Sequence, residues 1–131
     1  MIGVDTNVLV RYVAQDDATQ SHKATQLIES FTSESPGYVG LVTVIELVWV
    51  LTGCYSCSRG NIVEVAELLL RTKELLVADA ETLWSALRIF KSGKADFADC
   101  VIERLAHSAG CDYTATFDRG AAKHCGLRLI S

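Results

Sequence analysis

Ile2-Gly3-Val4-Asp5-Thr6-Asn7 is a short apolar run that stops at a polar triplet. It predicts a buried strand whose C-terminal end lies at Asp5. Val8, Leu9, Tyr12 and Val13 then recur at helical spacing, so the chain opens as strand, polar corner, helix. The alternation continues outward from there. Asp16 or Asp17 can cap a helix whose apolar stripe is Ala24, Leu27, Ile28 and Phe31, and Ser35-Pro36-Gly37 breaks it. Tyr38-Val39-Gly40 can form a brief strand, followed by a helix from about Thr43 to Gly53. That helix is apolar on nearly every side except at Glu46, a pattern that predicts burial on most sides. Ser58 or Asn61 caps the next helix, carrying Ile62, Val65, Ala66, Leu69 and Leu70, and Leu75-Leu76-Val77 reads as a strand. Asp79 is placed to cap a helix with Leu83, Leu87 and Phe90 that ends at Ser92-Gly93. Asp96 opens a helix with Val101, Ile102 and Leu105 that closes at Gly110. A strand over Tyr113–Phe117 ends at Asp118, and a helical turn and a strand over Leu127–Ile130 finish the chain. Short apolar strands separated by helices imply βαβ units: an α/β fold of three layers, α/β/α, with a short, mostly parallel sheet covered on both faces. No repeat, linker or low-complexity tract interrupts the pattern, and residues 1–131 are expected to form one domain.

With 50% hydrophobic and 21% charged residues, the chain can bury a core without disulfides or structural metal. The net charge of −4 argues against a general nucleic-acid-binding module, which is normally basic. It leaves room for an enzyme with a local basic rim, because charge distribution steers ligands as much as the total does. No basic leader or long apolar stretch is present. Leu41–Leu51 is too short to span a membrane, which needs ~20 apolar residues, and Glu46 interrupts it. Five cysteines, an odd number without secretory context, are expected to be reduced thiols of a cytoplasmic protein. Cys54-x-x-Cys57, without a second pair or nearby histidines, is a weak zinc signal.

In open parallel sheets, sites form at the carboxyl ends of the strands. Asp5 and Asp118 each end a predicted strand, and Asp96 and Asp99 share one helix face. Glu46 sits in a greasy helix, where an ionised carboxylate without compensation costs several kcal/mol or more. Each acid also has a purely structural reading. Thr43-x-x-Glu46 fits a capping box, Asp96 and Asp118 can be N-caps, Asp99 can favour a helix dipole, and Asp5 can simply begin its helix. Taken together, these carboxylates are expected to converge and to repel unless a cation sits among them. Oxygen-only ligation with retained water suits Mg²⁺ or Mn²⁺. Such an ion binds a phosphodiester oxygen and lowers the pKa of water. No serine, cysteine or histidine constellation competes.

Asp5-Thr6-Asn7, Glu46 within Glu46-Leu47-Val48-Trp49-Val50-Leu51, Ala95-Asp96-Phe97-Ala98-Asp99, and Thr116-Phe117-Asp118 resemble the acidic signatures of PIN-domain nucleases. More narrowly, the chain is similar to VapC-type toxins of toxin–antitoxin pairs. The resemblance spans essentially the whole chain. It implies an endoribonuclease in which Asp5, Glu46 and Asp99 are the core carboxylates and metal ligands and Asp118 is the fourth. Asp96 leads the D-x-x-D segment as a further catalytic candidate, and Thr6, Asn7 and Thr116 match polar positions that orient the metal shell. It further implies an RNA substrate cut to a 5′-phosphate and a 3′-hydroxyl, a homodimer, and an antitoxin that blocks the pocket. Lys91, Lys94, Arg119 and Lys123 are candidates for the RNA-binding rim, with Arg11 and Arg59 behind them. Tyr12 and Trp49 could stack on a base, but core packing is the expected role of both. Two other readings use the same residues. An aspartate-based phosphotransfer domain would want a second aspartate where Asn7 stands. A PIN-fold interaction module without catalysis would be expected to have lost one or more of the carboxylates.

Overall fold

Five of the seven helix starts in this chain follow local capping chemistry. The computed structural model describes residues 1–131. After β1 (Ile2–Gly3), Asp5 accepts the Thr6 N–H at 2.8 Å and begins α1 (Thr6–Ala14). Asp17 accepts the Gln20 N–H at 2.8 Å and begins α2 (Ala18–Glu29). β2 (Gly37–Val39) leads into α3 (Leu41–Gly53). Ser58 accepts the Asn61 N–H at 3.1 Å to start α4 (Arg59–Arg71), which is followed by β3 (Leu75–Val77) and α5 (Ala80–Lys91). Asp96 caps α6 (Phe97–Ser108). After β4 (Ala115–Thr116), Asp118 caps α7 (Arg119–Cys125), and β5 (Arg128–Leu129) ends the order. A side-chain acceptor at each of these capped starts satisfies an N–H that the helix itself cannot.

The chain divides into two compact units, Met1–Ala78 and Asp79–Ser131. The first holds a parallel sheet in the order β1-β2-β3, with Ile2 opposite Gly37 and Gly37 opposite Leu75. Helix α1 packs on α2 and α3, and α4 packs on α3 and β3. Leu9, Val39, Leu47, Leu51 and Ile62 are fully buried at its centre. Gly37 is required where the chain enters β2: a Cβ there would collide with the ring of Phe31, itself buried. The second unit pairs β4 with β5 in parallel and packs α6 against α5 and α7. Its core includes Leu83, Ala86, Leu87, Phe97 and Cys100, with the Phe90 and Phe97 rings edge to face at 5.6 Å. No helix is long and apolar enough to cross a membrane.

Several sequence expectations need correction. Strand β1 is not buried; it lies at the edge of its sheet with Ile2 exposed, and Val4 is the residue that enters the core. Helix α3 starts at Leu41 with Gly40 as its N-cap, and it is not covered on most sides. Val44, Leu47, Val48 and Leu51, at i, i+3, i+4 and i+7, form the buried stripe, while Val42 and Trp49 fall on the other side. Trp49 is 74% exposed, so core packing is not its role. Asp79 stands at the N-cap of α5 but adopts a left-handed conformation (φ 53°) and makes no side-chain cap bond. The Tyr113–Phe117 strand shrinks to Ala115–Thr116, leaving Phe117 80% exposed and Tyr113 under the Arg128 guanidinium at 3.9 Å. Ile102, predicted to face the core from α6, is exposed.

Candidate acidic site

In the first unit, the corner after β1 delivers Asp5, Thr6 and Asn7. Asp5 is exposed, and its cap bond uses Oδ1, leaving Oδ2 outside that bond. Thr6 is buried, and its hydroxyl donates to Glu46 Oε1 at 2.6 Å, joining α1 to α3 across 40 positions of sequence. Glu46 is exposed, so the expectation of a buried charge in need of compensation is corrected. The capping-box reading of Thr43 and Glu46 also falls, because both lie inside α3 and Glu46 reaches Thr6 instead. What orients Glu46 is this hydroxyl. A hydrogen bond to a charged acceptor contributes about 1.5–3 kcal/mol, less where water competes. Thr6→Val removes the donor while keeping the β-branched shape. We expect it to cost about 1 kcal/mol in urea denaturation and to lower whatever activity depends on an oriented Glu46. Unchanged activity and unchanged stability would show that the bond has no role.

In the second unit three carboxylates gather at the starts of two helices. Asp96 Oδ1 accepts the Asp99 N–H at 3.0 Å, and Asp118 Oδ1 accepts the Ala121 N–H at 3.0 Å. The Thr116 hydroxyl oxygen accepts the Asp118 N–H at 3.0 Å, fixing the turn that presents this aspartate. Capping and site roles are therefore compatible here, since each cap uses one oxygen. Asp99, in the first turn of α6, is half-buried. Burial, then the negative charges of Asp96 and Asp118, hold its carboxyl above the usual aspartate range. The ion pairs Arg11–Asp16, Glu67–Arg71 and Glu103–Arg104 involve none of the five acids. No three His, Cys, Asp or Glu side chains are packed into a metal-holding cluster. Hard oxygen donors gathered at two helix starts nonetheless fit a hard divalent cation, which in the case of Mg²⁺ is commonly held by one or two carboxylates with water completing the shell.

The four leading candidates for RNA-binding cations lie on the surface of the second unit, while Arg11 and Arg59 belong to the first. Lys91 ends α5, Lys94 precedes α6, and Arg119 and Lys123 lie on α7, directly after Asp118. Sequence reasoning missed the support beneath the acids. Cys100 and Cys125 are buried with their sulfurs 3.6 Å apart, and Cys125 Sγ lies 3.7 Å from the Asp96 carbonyl oxygen. They tie α7 to the start of α6. Burial first, then Cys125, pushes the Cys100 thiol up to about 12, which makes it an inert packing group. The two residues are 25 apart in sequence, and no spacing rule signals such a contact.

Parallel strands joined by helices, with carboxylates at a strand-to-helix corner in one unit and at helix starts in the other, define an α/β domain with acidic corners. The chain belongs to the PIN-domain family, whose model matches residues 2–127 and so runs through both units. That membership carries the three-layer α/β/α class expected from the sequence, and with it, at the coarse level, a nuclease-type hydrolase. No curated protein matches the chain.

Proposed function

We propose that this chain is a metal-dependent endoribonuclease, the toxin of a VapBC-type toxin–antitoxin pair, working in the cytoplasm as a homodimer. The observation that carries the reading is the second unit's carboxylate group, in which Asp96 and Asp118 act electrostatically on a half-buried Asp99. In the first unit, the Thr6-held Glu46 beside the Asp5 corner adds to it. Asp5, Glu46, Asp99 and Asp118 are assigned to hold Mg²⁺ or Mn²⁺, with Asp96 in the catalytic set. When bound, the ion supplies Lewis-acid stabilisation of the phosphodiester and acidifies water. The chain's own residues do the positioning. Thr6 orients Glu46, Thr116 fixes the Asp118 turn, and Asn7 extends the polar corner. Lys91, Lys94, Arg119 and Lys123 are assigned to the RNA phosphates, where most nucleic-acid contacts fall. The cognate antitoxin would act by covering the acids.

Incubating the purified protein with single-stranded RNA tests the reading. Cleavage is expected with Mg²⁺ or Mn²⁺, is expected to stop with EDTA, and is expected to leave 5′-phosphate ends. Absence of cleavage with either ion, or cleavage indifferent to EDTA, would overturn it.

A further inference from the structure

A groove of about 290 Å³ runs between α1 and α2 within the first unit, walled by Asn7, Val8, Arg11, Gln20, Lys23 and Leu27. Helical spacing explains this wall: Asn7, Val8 and Arg11 form one face of α1, and Gln20, Lys23 and Leu27 form one face of α2. The floor is apolar through Val8 and Leu27, and the rim carries two cations and two amides. Arg11 is held in place, with Nε donating to Gln20 Oε1 at 2.8 Å and Nη1 to Asp16 Oδ1 at 3.0 Å. Asp16 in turn accepts from the Tyr55 hydroxyl at 2.7 Å, which braces it from the loop between α3 and α4. Lys23 is exposed and enters none of these bonds. Asp16 pairs with Arg11 and Asp17 also acts on it through space, whereas Lys23 enters none of the ion pairs. Asn7, also exposed, begins the groove two residues after Asp5.

We infer that the groove between α1 and α2 is a subsite for one unpaired nucleotide of the substrate, leading away from Asp5. The inference rests on the endoribonuclease reading and deepens it. The volume is at the lower end of small-ligand pockets, about 300–1,000 Å³, and admits a single splayed nucleotide rather than a base pair. Val8 and Leu27 offer an apolar bed for a ribose or base. Lys23 serves as a phosphate contact, the guanidinium of Arg11 and the amide of Gln20 that it holds offer fixed polar partners, and Asn7 offers an exposed amide. The subsite selects single-stranded over duplex RNA, with Lys23 contributing affinity largely independent of base identity.

Fluorescence anisotropy with a labelled single-stranded RNA, on an Asp5→Asn background in Mg²⁺ to suppress cleavage, tests the subsite. Lys23→Ala is expected to weaken binding about 3–10-fold for every sequence tried and to reduce the slope of log affinity against log salt by about 0.7. Lys23→Glu is expected to weaken it further. Lys73→Ala, which removes an equal charge from the exposed segment after α4, is expected to leave both quantities unchanged. Photocrosslinking of the same RNA carrying 4-thiouridine is expected to mark peptides of α1 and α2. If the parent binds RNA but Lys23→Ala matches Lys73→Ala, the subsite is wrong and the nuclease reading stands. Crosslinks confined to other peptides would likewise exclude the subsite. If the parent binds no RNA and the wild-type protein cuts none, both readings fall together.

Discussion

Replacing Asp5 by asparagine is expected to reduce metal-stimulated RNA cleavage by at least about 100-fold, the scale on which loss of one group stabilising transition-state charge is felt. The fold should survive for a specific reason. Asp5 caps α1 through Oδ1, and asparagine is as good an N-cap as aspartate because its amide oxygen accepts the same N–H. The substitution therefore removes the negative charge and keeps the cap. Alanine would be a poorer probe, since a lost cap costs about 1 kcal/mol and blurs activity with stability. Circular dichroism and the urea midpoint report on the fold. The double variant with Asp99→Asn asks whether Asp5 and Asp99 serve the same step. Groups that act as a unit are strongly non-additive, so the pair is expected to be little worse than the more damaging single change. Activity of Asp5→Asn above a tenth of wild type, with the fold intact, would confine Asp5 to capping.

How much of this was legible in the sequence depends on the range of the interaction. Capping is local, so Asp96 and Asp118 were readable from a few residues on either side, and Asp17 and Ser58 each as one of two neighbouring choices. The alternation of short apolar runs with helical stripes marked the α/β class for the same reason. Helix α3 resisted because a stretch apolar at nearly every position has no phase; only packing decides that Leu47 faces inward and Trp49 outward. Glu46 resisted for a different reason. Its partner Thr6 is 40 positions away, and a local pattern offered the nearer Thr43 instead. Tyr113, Thr114, Thr116 and Phe117 have the β-branched and aromatic character of a strand, yet β5 pairs only with Ala115 and Thr116, and the strand ends where its partner does. The Cys100–Cys125 contact joins two helices, and nothing local to either cysteine marks it.

Asp99→Asn is expected to stabilise the metal-free protein at neutral pH and to abolish its stabilisation by Mg²⁺. The Asp99 carboxyl binds its proton more tightly in the folded chain than an ordinary aspartate does, because of burial and then Asp96 and Asp118. Between the unfolded and the raised folded value, the native state holds more protons than the unfolded state. Stability therefore falls as pH rises through that window, and at pH 7 the full cost of ionising Asp99 is present. Asparagine cannot ionise, so the variant escapes that cost, and its advantage should vanish as pH drops below the ordinary aspartate range. A divalent ion reverses the ranking. Binding only to the folded wild type, it adds about 2.7 kcal/mol at a hundred times its dissociation constant, a shift of several degrees in melting temperature. The variant, lacking one ligand and part of the field, should gain much less. Thermal melts of both proteins, with EDTA and with millimolar Mg²⁺, should therefore cross: the variant melts higher without metal and the wild type higher with it. A purely structural Asp99 predicts the opposite sign in EDTA. An acid in the first turn of α6 would then be contributing about 0.3–1 kcal/mol through the helix dipole, and its removal would lower the melting temperature while leaving the response to Mg²⁺ unchanged.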